Sequence, residues 1–210
     1  MKPNSAKREQ VMAALGKRAR RCKIAATLGA LLVVAGLAFV GVRAHALTTE
    51  FPNPPREVFQ AGESVPYPAY DGVSLQVAPA QILTDDEVRE LCPDTYKQNA
   101  QQDGRYRMVR VDVTVRNDGE QDIELFDLRS STLVLGVTYG NQSFMPAESE
   151  AFPDIDYSRL AAGSEVTLPL LYVIWDYTLP AEAWDALDQT SLSLQVSTWP
   201  RLLTVAVREA

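Results

Sequence analysis

Residues 24–42 read Ile-Ala-Ala-Thr-Leu-Gly-Ala-Leu-Leu-Val-Val-Ala-Gly-Leu-Ala-Phe-Val-Gly-Val, 19 positions with no charge and a single hydroxyl. As a helix rising about 1.5 Å per residue, the run is about 28 Å long, close to the hydrocarbon thickness of a bilayer. In lipid only a helix satisfies the backbone polar groups of such a segment. The run therefore predicts a transmembrane helix, and its flanks set its direction. Residues 1–23 hold eight Lys and Arg against Glu9 alone, while Arg43 is the one cation just after the run. The positive-inside rule then places residues 1–23 as a cytoplasmic tail and everything after the helix outside the membrane. Ala44-His45-Ala46 matches the small-x-small pattern of a peptidase site, so a cut after Ala46 would secrete the remainder. The long basic region, the length of the apolar run and Arg43 beside the cut favour a retained signal anchor. Cys22 precedes the run, between Arg21 and Lys23, whereas the lipidated cysteine of a lipoprotein follows it.

Beyond the helix the chain changes character. From Leu47 onward there are 11 basic and 26 acidic residues, a net charge of −15. Nucleic-acid binding gains its affinity by replacing phosphate counterions with a basic face, and this part of the chain cannot supply one. With 210 residues in all, one core is the expectation. Pro52, Pro54, Pro55, Pro66 and Pro68 predict an extended stalk over residues 43–69. The folded extracytoplasmic domain is then expected over 70–210.

Within that domain the period is two. Val73, Leu75 and Val77 alternate, Pro79 interrupts, and Ala80–Leu83 resumes as an edge or bulge. Val109, Val111, Val113 and Val115 share one face of a strong strand, with Arg110, Asp112, Thr114 and Arg116 on the other. Asn117-Asp118-Gly119 predicts a hairpin into Ile123–Phe126, and Gly140-Asn141 a second reversal, from the strand Leu133–Tyr139 into Gln142–Met145. Residues 146–160 read as loop. Val166–Ile174 is expected to be a central strand, because Leu171 and Val173 make its second face apolar. Leu192–Val196 and Leu203–Val207 pair around Trp199-Pro200. Two short helices are expected: a capping box at Thr84-Asp85-Asp86-Glu87, and Ala181–Leu187 after Pro180. Many short strands with few helices predict an all-β fold, a two-layer antiparallel sandwich preceded by the membrane helix.

The chemistry open to this domain is narrow. His45 is the single histidine and lies at the membrane exit, so neither a Ser-His-Asp nor a Cys-His pair can form in the domain. Cys92 is the one cysteine there, which rules out an intradomain disulfide and leaves a buried small hydrophobe, the favoured reading, a free thiol or an intermolecular link. Glu148, Glu150, Asp154 and Asp156 form an acidic stretch whose alternatives are a solvated loop, a calcium site for an adhesion module, or paired carboxylates of an envelope hydrolase. Trp175, Tyr177, Trp184 and Trp199, with Tyr172, are the one aromatic concentration, and either fill the core or form a recognition surface. No cofactor is expected. The leading reading is a non-enzymatic module that binds or scaffolds a protein or cell-envelope partner.

The strand Tyr106-Arg107-Met108-Val109-Arg110-Val111-Asp112-Val113-Thr114-Val115 running into Asn117-Asp118-Gly119, and Leu160-Ala161-Ala162-Gly163-Ser164-Glu165 before a long strand, carry a resemblance. The chain resembles the immunoglobulin-like extracytoplasmic domains of unknown function of Gram-positive membrane-anchored proteins and lipoproteins, whose fold is like that of a mycobacterial immunoprotective secreted antigen. The likeness runs over residues 70–208 and implies an immunoglobulin-like sandwich with no catalytic residues. The chain departs from that family in its basic tail and anchor, which replace a lipidated cysteine, and in the segment 84–104.

Overall fold

The computed structural model describes residue 29 and residues 33–50, 54–129, 131–136, 139–198 and 200–209. It divides into two units, one ending at Asn53 and one from Pro54 to Ala210. Within the first, the described residues 33–50 form helix α1. Val33, Val34, Leu37, Phe39, Val40 and Val42 point around its whole circumference and are each 62–71% exposed. Among the described residues no helix is long and apolar enough to cross a membrane. The expected span, 24–42, falls partly outside them, at residues 24–28 and 30–32.

The second unit starts earlier than the alternating pattern suggests. Strand β1 is Arg56–Gln60 and β2 is Ser64–Pro66, so part of the expected stalk lies inside the fold. The prolines are compatible with this because they stand where no ladder donor is needed. Pro54 and Pro55 precede β1, and Pro66 ends β2, an edge strand. Next come β3 (Val73–Val77), β4 (Gln81–Leu83), β5 (Tyr106–Asn117), β6 (Ile123–Glu124), β7 (Thr132–Leu135), β8 (Tyr139–Gln142), β9 (Arg159–Leu160), β10 (Glu165–Trp175), β11 (Leu192–Ser197) and β12 (Leu202–Arg208). One sheet runs β1-β12-β11-β7-β8 and the other β10-β5-β3-β2, with β4 also on β5. The pairings are antiparallel except that β1 lies parallel to β12, which corrects the wholly antiparallel expectation. The reversals also differ. Ile123–Glu124 leaves the β5 ladder and pairs with β9, and the turn after β7 falls between Leu135 and Tyr139, ahead of Gly140.

One core fills the space between the sheets. Val109, Val111, Val113 and Val115 of β5 stand opposite Tyr172, Leu170, Leu168 and Val166 of β10. Across from them pack Leu133 and Leu135 of β7, Leu192, Leu194 and Val196 of β11, and Leu203, Val205 and Val207 of β12. Each fully buried Val or Leu contributes about 1.5–3 kcal/mol relative to an exposed one. The second face of β5 and β10 is covered too, by α2 (Asp85–Leu91), expected from its capping box, and by two helices the strand pattern does not show, α3 (Pro93–Asn99) and α5 (Met145–Ala151), the last within the expected loop 146–160; the single turn α4 (Phe126–Arg129) comes between these two in the chain. Val88, Cys92 and Ala147 meet Met108, Leu171 and Val173 in a smaller core. The apolar second face of β10 therefore reflects a helical cover. By strand order β10 is terminal in its sheet, and β5 is the central strand. The free edge of β10 is closed by the chain after β8, where the Phe144 amide donates to the Leu171 carbonyl and Ser143 bridges to Tyr172. Of the two expected helices, Thr84 caps α2 in a full capping box with Glu87, and α6 is Ala181–Asp185.

Candidate functional site

The acidic stretch does not converge. Glu148 is fully buried on α5, where one oxygen accepts from the Arg129 guanidinium at 3.0 and 3.2 Å and the other from the Leu171 amide at 3.1 Å. Glu150, two residues further on, accepts from the amides of Asp94 and Thr95 and from the Thr95 hydroxyl, at 2.6, 2.9 and 2.7 Å. These are the first amides of α3, a helix whose own N-cap, Cys92, makes no side-chain cap bond. Asp156 accepts from the amide and hydroxyl of Ser158, which hold its carboxyl below its ordinary value. Asp154 is exposed. Two of the four carboxylates, Glu148 and Glu150, thus tie separate elements together, and Asp156 closes a local turn. Among the described residues no group of three or more His, Cys, Asp or Glu is placed to hold a metal ion.

The aromatic residues do come together, at the end of the sandwich where β5 begins and β10 ends. Tyr106 and Trp175 are cross-strand partners in the ladder, with ring centroids 5.4 Å apart. Trp175 then stacks on Tyr177, at 5.5 Å and an interplanar angle of 20°. Tyr177 sits in the 3₁₀ turn Asp176–Thr178 and is 64% exposed. Gly104 makes the close approach possible, since a Cβ there would meet Asp176 Oδ1 at 3.0 Å and the Tyr177 ring at 3.1 Å. The backbone at Gly104, with φ +133°, also lies where other residues are strained. Arg105 donates through Nε to Asp176 at 3.1 Å, which holds that carboxyl below its ordinary value. The guanidinium groups of Arg105 and Arg107 lie over the Trp184 ring at 5.3 and 5.9 Å. Trp184 itself is buried on α6 and belongs to the main core, and Trp199 lies outside the described residues.

Of the four aromatic candidates, Tyr177 and Trp175 therefore form a surface and Trp184 supports its arginines from beneath. The sequence reading missed Tyr106, Arg105 and Arg107. Their signal was the arginine pair at i and i+2 opening the strongest strand, which puts both on one face. Behind α6 a half-open apolar cavity of about 240 Å³ is lined by Leu135, Tyr139, Leu179, Ala183 and Leu187.

A family model described as a domain of unknown function, DUF5028, matches residues 56–201. The chain belongs to the DUF5028 family. The matched region opens on the first residue of β1, so the family unit includes the strands found in the proline-rich segment. No curated protein matches this DUF5028 chain. Among solved structures it is similar to an uncharacterized β-sandwich protein of Clostridium difficile, at 10% identity and a TM-score of 0.43 over 74% of this chain and 96% of that one. It is also similar to a conserved hypothetical protein of Bacillus anthracis, at 15% identity and a TM-score of 0.42 over 65% and 87% of the two chains. A functionally unknown protein of Listeria monocytogenes shares 9% identity, with a TM-score of 0.40 over 63% of this chain and 72% of that one.

Proposed function

We propose that this DUF5028 chain is a single-pass membrane protein that displays an immunoglobulin-like sandwich outside the cell, and that the sandwich binds a protein or cell-envelope partner through the Trp175–Tyr177 end. The observation that carries the binding reading is the exposure of Tyr177 on a stack formed with Trp175 and Tyr106 and packed against Gly104. A large aromatic fixed by its neighbours loses little side-chain entropy on binding, and arginines beside it are the other residue type enriched at recognition hot spots. Anchoring is supported by the uncharged run 24–42 and by the apolar side chains that surround α1 over residues 33–42, since a helix segment apolar on every side belongs in a core or in lipid. The eight cations before the run support a cytoplasmic N-terminus. A non-enzymatic role is favoured by the structural use of Glu148 and Glu150.

The test places a photo-crosslinker at position 177 of the full chain in intact cells, with the same group at Val58, an exposed residue of β1, as the control. An adduct at 177 that is absent at 58, and lost when Arg105 and Arg107 are both changed to Ala, is expected. Identical adducts from both positions would rule out this surface. Protease added to whole cells is expected to digest the sandwich; protection in cells with digestion in lysates would reverse the topology.

A further inference from the structure

We propose that Ala44-His45-Ala46 is a masked peptidase site, kept uncut because α1 runs straight through it. The inference rests on the membrane anchoring proposed above. The triplet carries the small residues that a membrane signal peptidase reads at the first and third positions before its cut. The bond at issue is the Ala46–Leu47 amide, whose hydrolysis consumes one water and leaves a carboxylate on Ala46 and an amine on Leu47. A peptide entering a protein by strand addition must offer an extended backbone with free amide and carbonyl groups. Here the helix covers residues 33–50, through the triplet and four residues beyond. The carbonyls of the triplet's first two residues carry a second bond each: the Thr48 hydroxyl donates to Ala44 O at 2.6 Å and the Thr49 hydroxyl to His45 O at 2.9 Å. No proline or glycine lies between Gly41 and Pro52 to end the helix before the cut. The sequence pattern of a cleavable leader and the conformation of a stable anchor therefore coincide on the same residues, and the conformation decides the outcome.

The mask can be opened without touching the triplet. Gly41 has nothing within 4 Å of the place where a side chain would stand, so Gly41→Pro disrupts only the helix itself. The full chain is expressed in a bacterium with an active signal peptidase, and membranes, medium and cytosol are assayed by intact mass. The native chain is expected in membranes at its full 23.2 kDa, and Gly41→Pro is expected to release a product beginning at Leu47. Adding Ala46→Phe to Gly41→Pro is expected to restore the full-length membrane form. Val42→Gly, which weakens the helix without a proline, is expected to give a smaller released fraction of the same product. A native chain already cut after Ala46 would overturn the proposal, and so would both helix-weakening variants remaining whole in the membrane. Full-length native chain in the cytosol would instead remove the anchoring it rests on.

Discussion

Arg129 and Glu148 form an ion pair inside the protein: the Glu148 carboxylate is wholly buried, the Arg129 side chain is 15% exposed, and the two meet at 3.0 Å. The pair is locked from both sides. The Arg129 guanidinium lies 4.4 Å from the centre of the Tyr157 ring, and the second oxygen of Glu148 takes the Leu171 amide of the terminal strand β10. Removing one partner of such a pair leaves an unpaired buried charge, at a cost of about 3–5 kcal/mol, whereas an apolar pair of similar volume is often neutral. Glu148→Gln in the full chain is therefore expected to lower unfolding stability by about 3 kcal/mol, and the double change Arg129→Met with Glu148→Met by markedly less. Denaturant titration of Arg129→Met, Glu148→Met and the double variant measures the coupling. Additive losses would mean that the pair is not a unit.

Glu150 is a helix cap delivered from another helix. Its carboxylate serves Asp94 and Thr95 at the start of α3, whose own cap position holds a cysteine. Glu150→Ala is expected to cost about 1–2 kcal/mol, in the range of a lost N-cap, with Glu150→Gln intermediate. Because this carboxylate and that of Glu148 are already engaged, millimolar calcium is expected to leave the melting temperature of the full chain unchanged in calorimetry. A rise would show that the segment binds the ion.

The sandwich was legible where burial is one-sided and the strand long. Val109 to Val115 keep a strict period of two because one face meets a continuous core, and the reading of that strand needed nothing else. Of the helical cover, α2 was legible from its capping box, while α3 and α5 were obscured by their shortness. Pro93 breaks 85–99 into two seven-residue helices, each too short to show a stripe, and the cap for the second comes from Glu150, which is 55 or more residues away. α5 buries a charge, Glu148, so its sequence reads as an acidic loop. β1 was hidden for the opposite reason: at the sheet edge it has no fully buried side chain, and its neighbour is the end of the chain. The aromatic surface was half visible, since the sequence shows its tryptophans and tyrosines by type but not their register across β5 and β10.

Asn117 replaces the expected hairpin turn. Its amide donates to the carbonyls of Gln121, Ala161 and Leu160, at 2.9, 3.2 and 3.4 Å, while its oxygen accepts from the Gly119 amide at 3.1 Å. One side chain thus holds the end of β5 to the segment before β10. Asn117→Ala leaves several buried groups unsatisfied and is expected to cost about 2–3 kcal/mol. Asn117→Asp, which turns a donor among three carbonyls into a negative charge, is expected to cost more than Ala at neutral pH. Thermal melts of both variants decide the order, and an Asp variant as stable as the native chain would refute the assigned donor.

Cys92 gives the domain an alkaline limit. Burial, with a smaller contribution from the Glu150 charge, pushes its thiol from 9.0 up to about 11, and burial foremost pushes Tyr106 and Tyr157 from 10.0 up to about 12. These groups are neutral when protonated, so a raised value means that the folded state holds the proton while the unfolded state releases it. The stabilisation is complete below pH 9, begins to fall as unfolded Cys92 ionises, and is lost for the thiol by about pH 11 and for the tyrosines by about pH 12. Between pH 9 and 10 the thiol acts alone among these three. Cys92→Ala is expected to be less stable at neutral pH, because it opens a cavity beside Met108, yet to lose less than the native chain over that single pH unit. Denaturant midpoints at pH 8, 9 and 10 for both proteins test this, and parallel curves would mean that the folded thiol titrates as freely as the unfolded one.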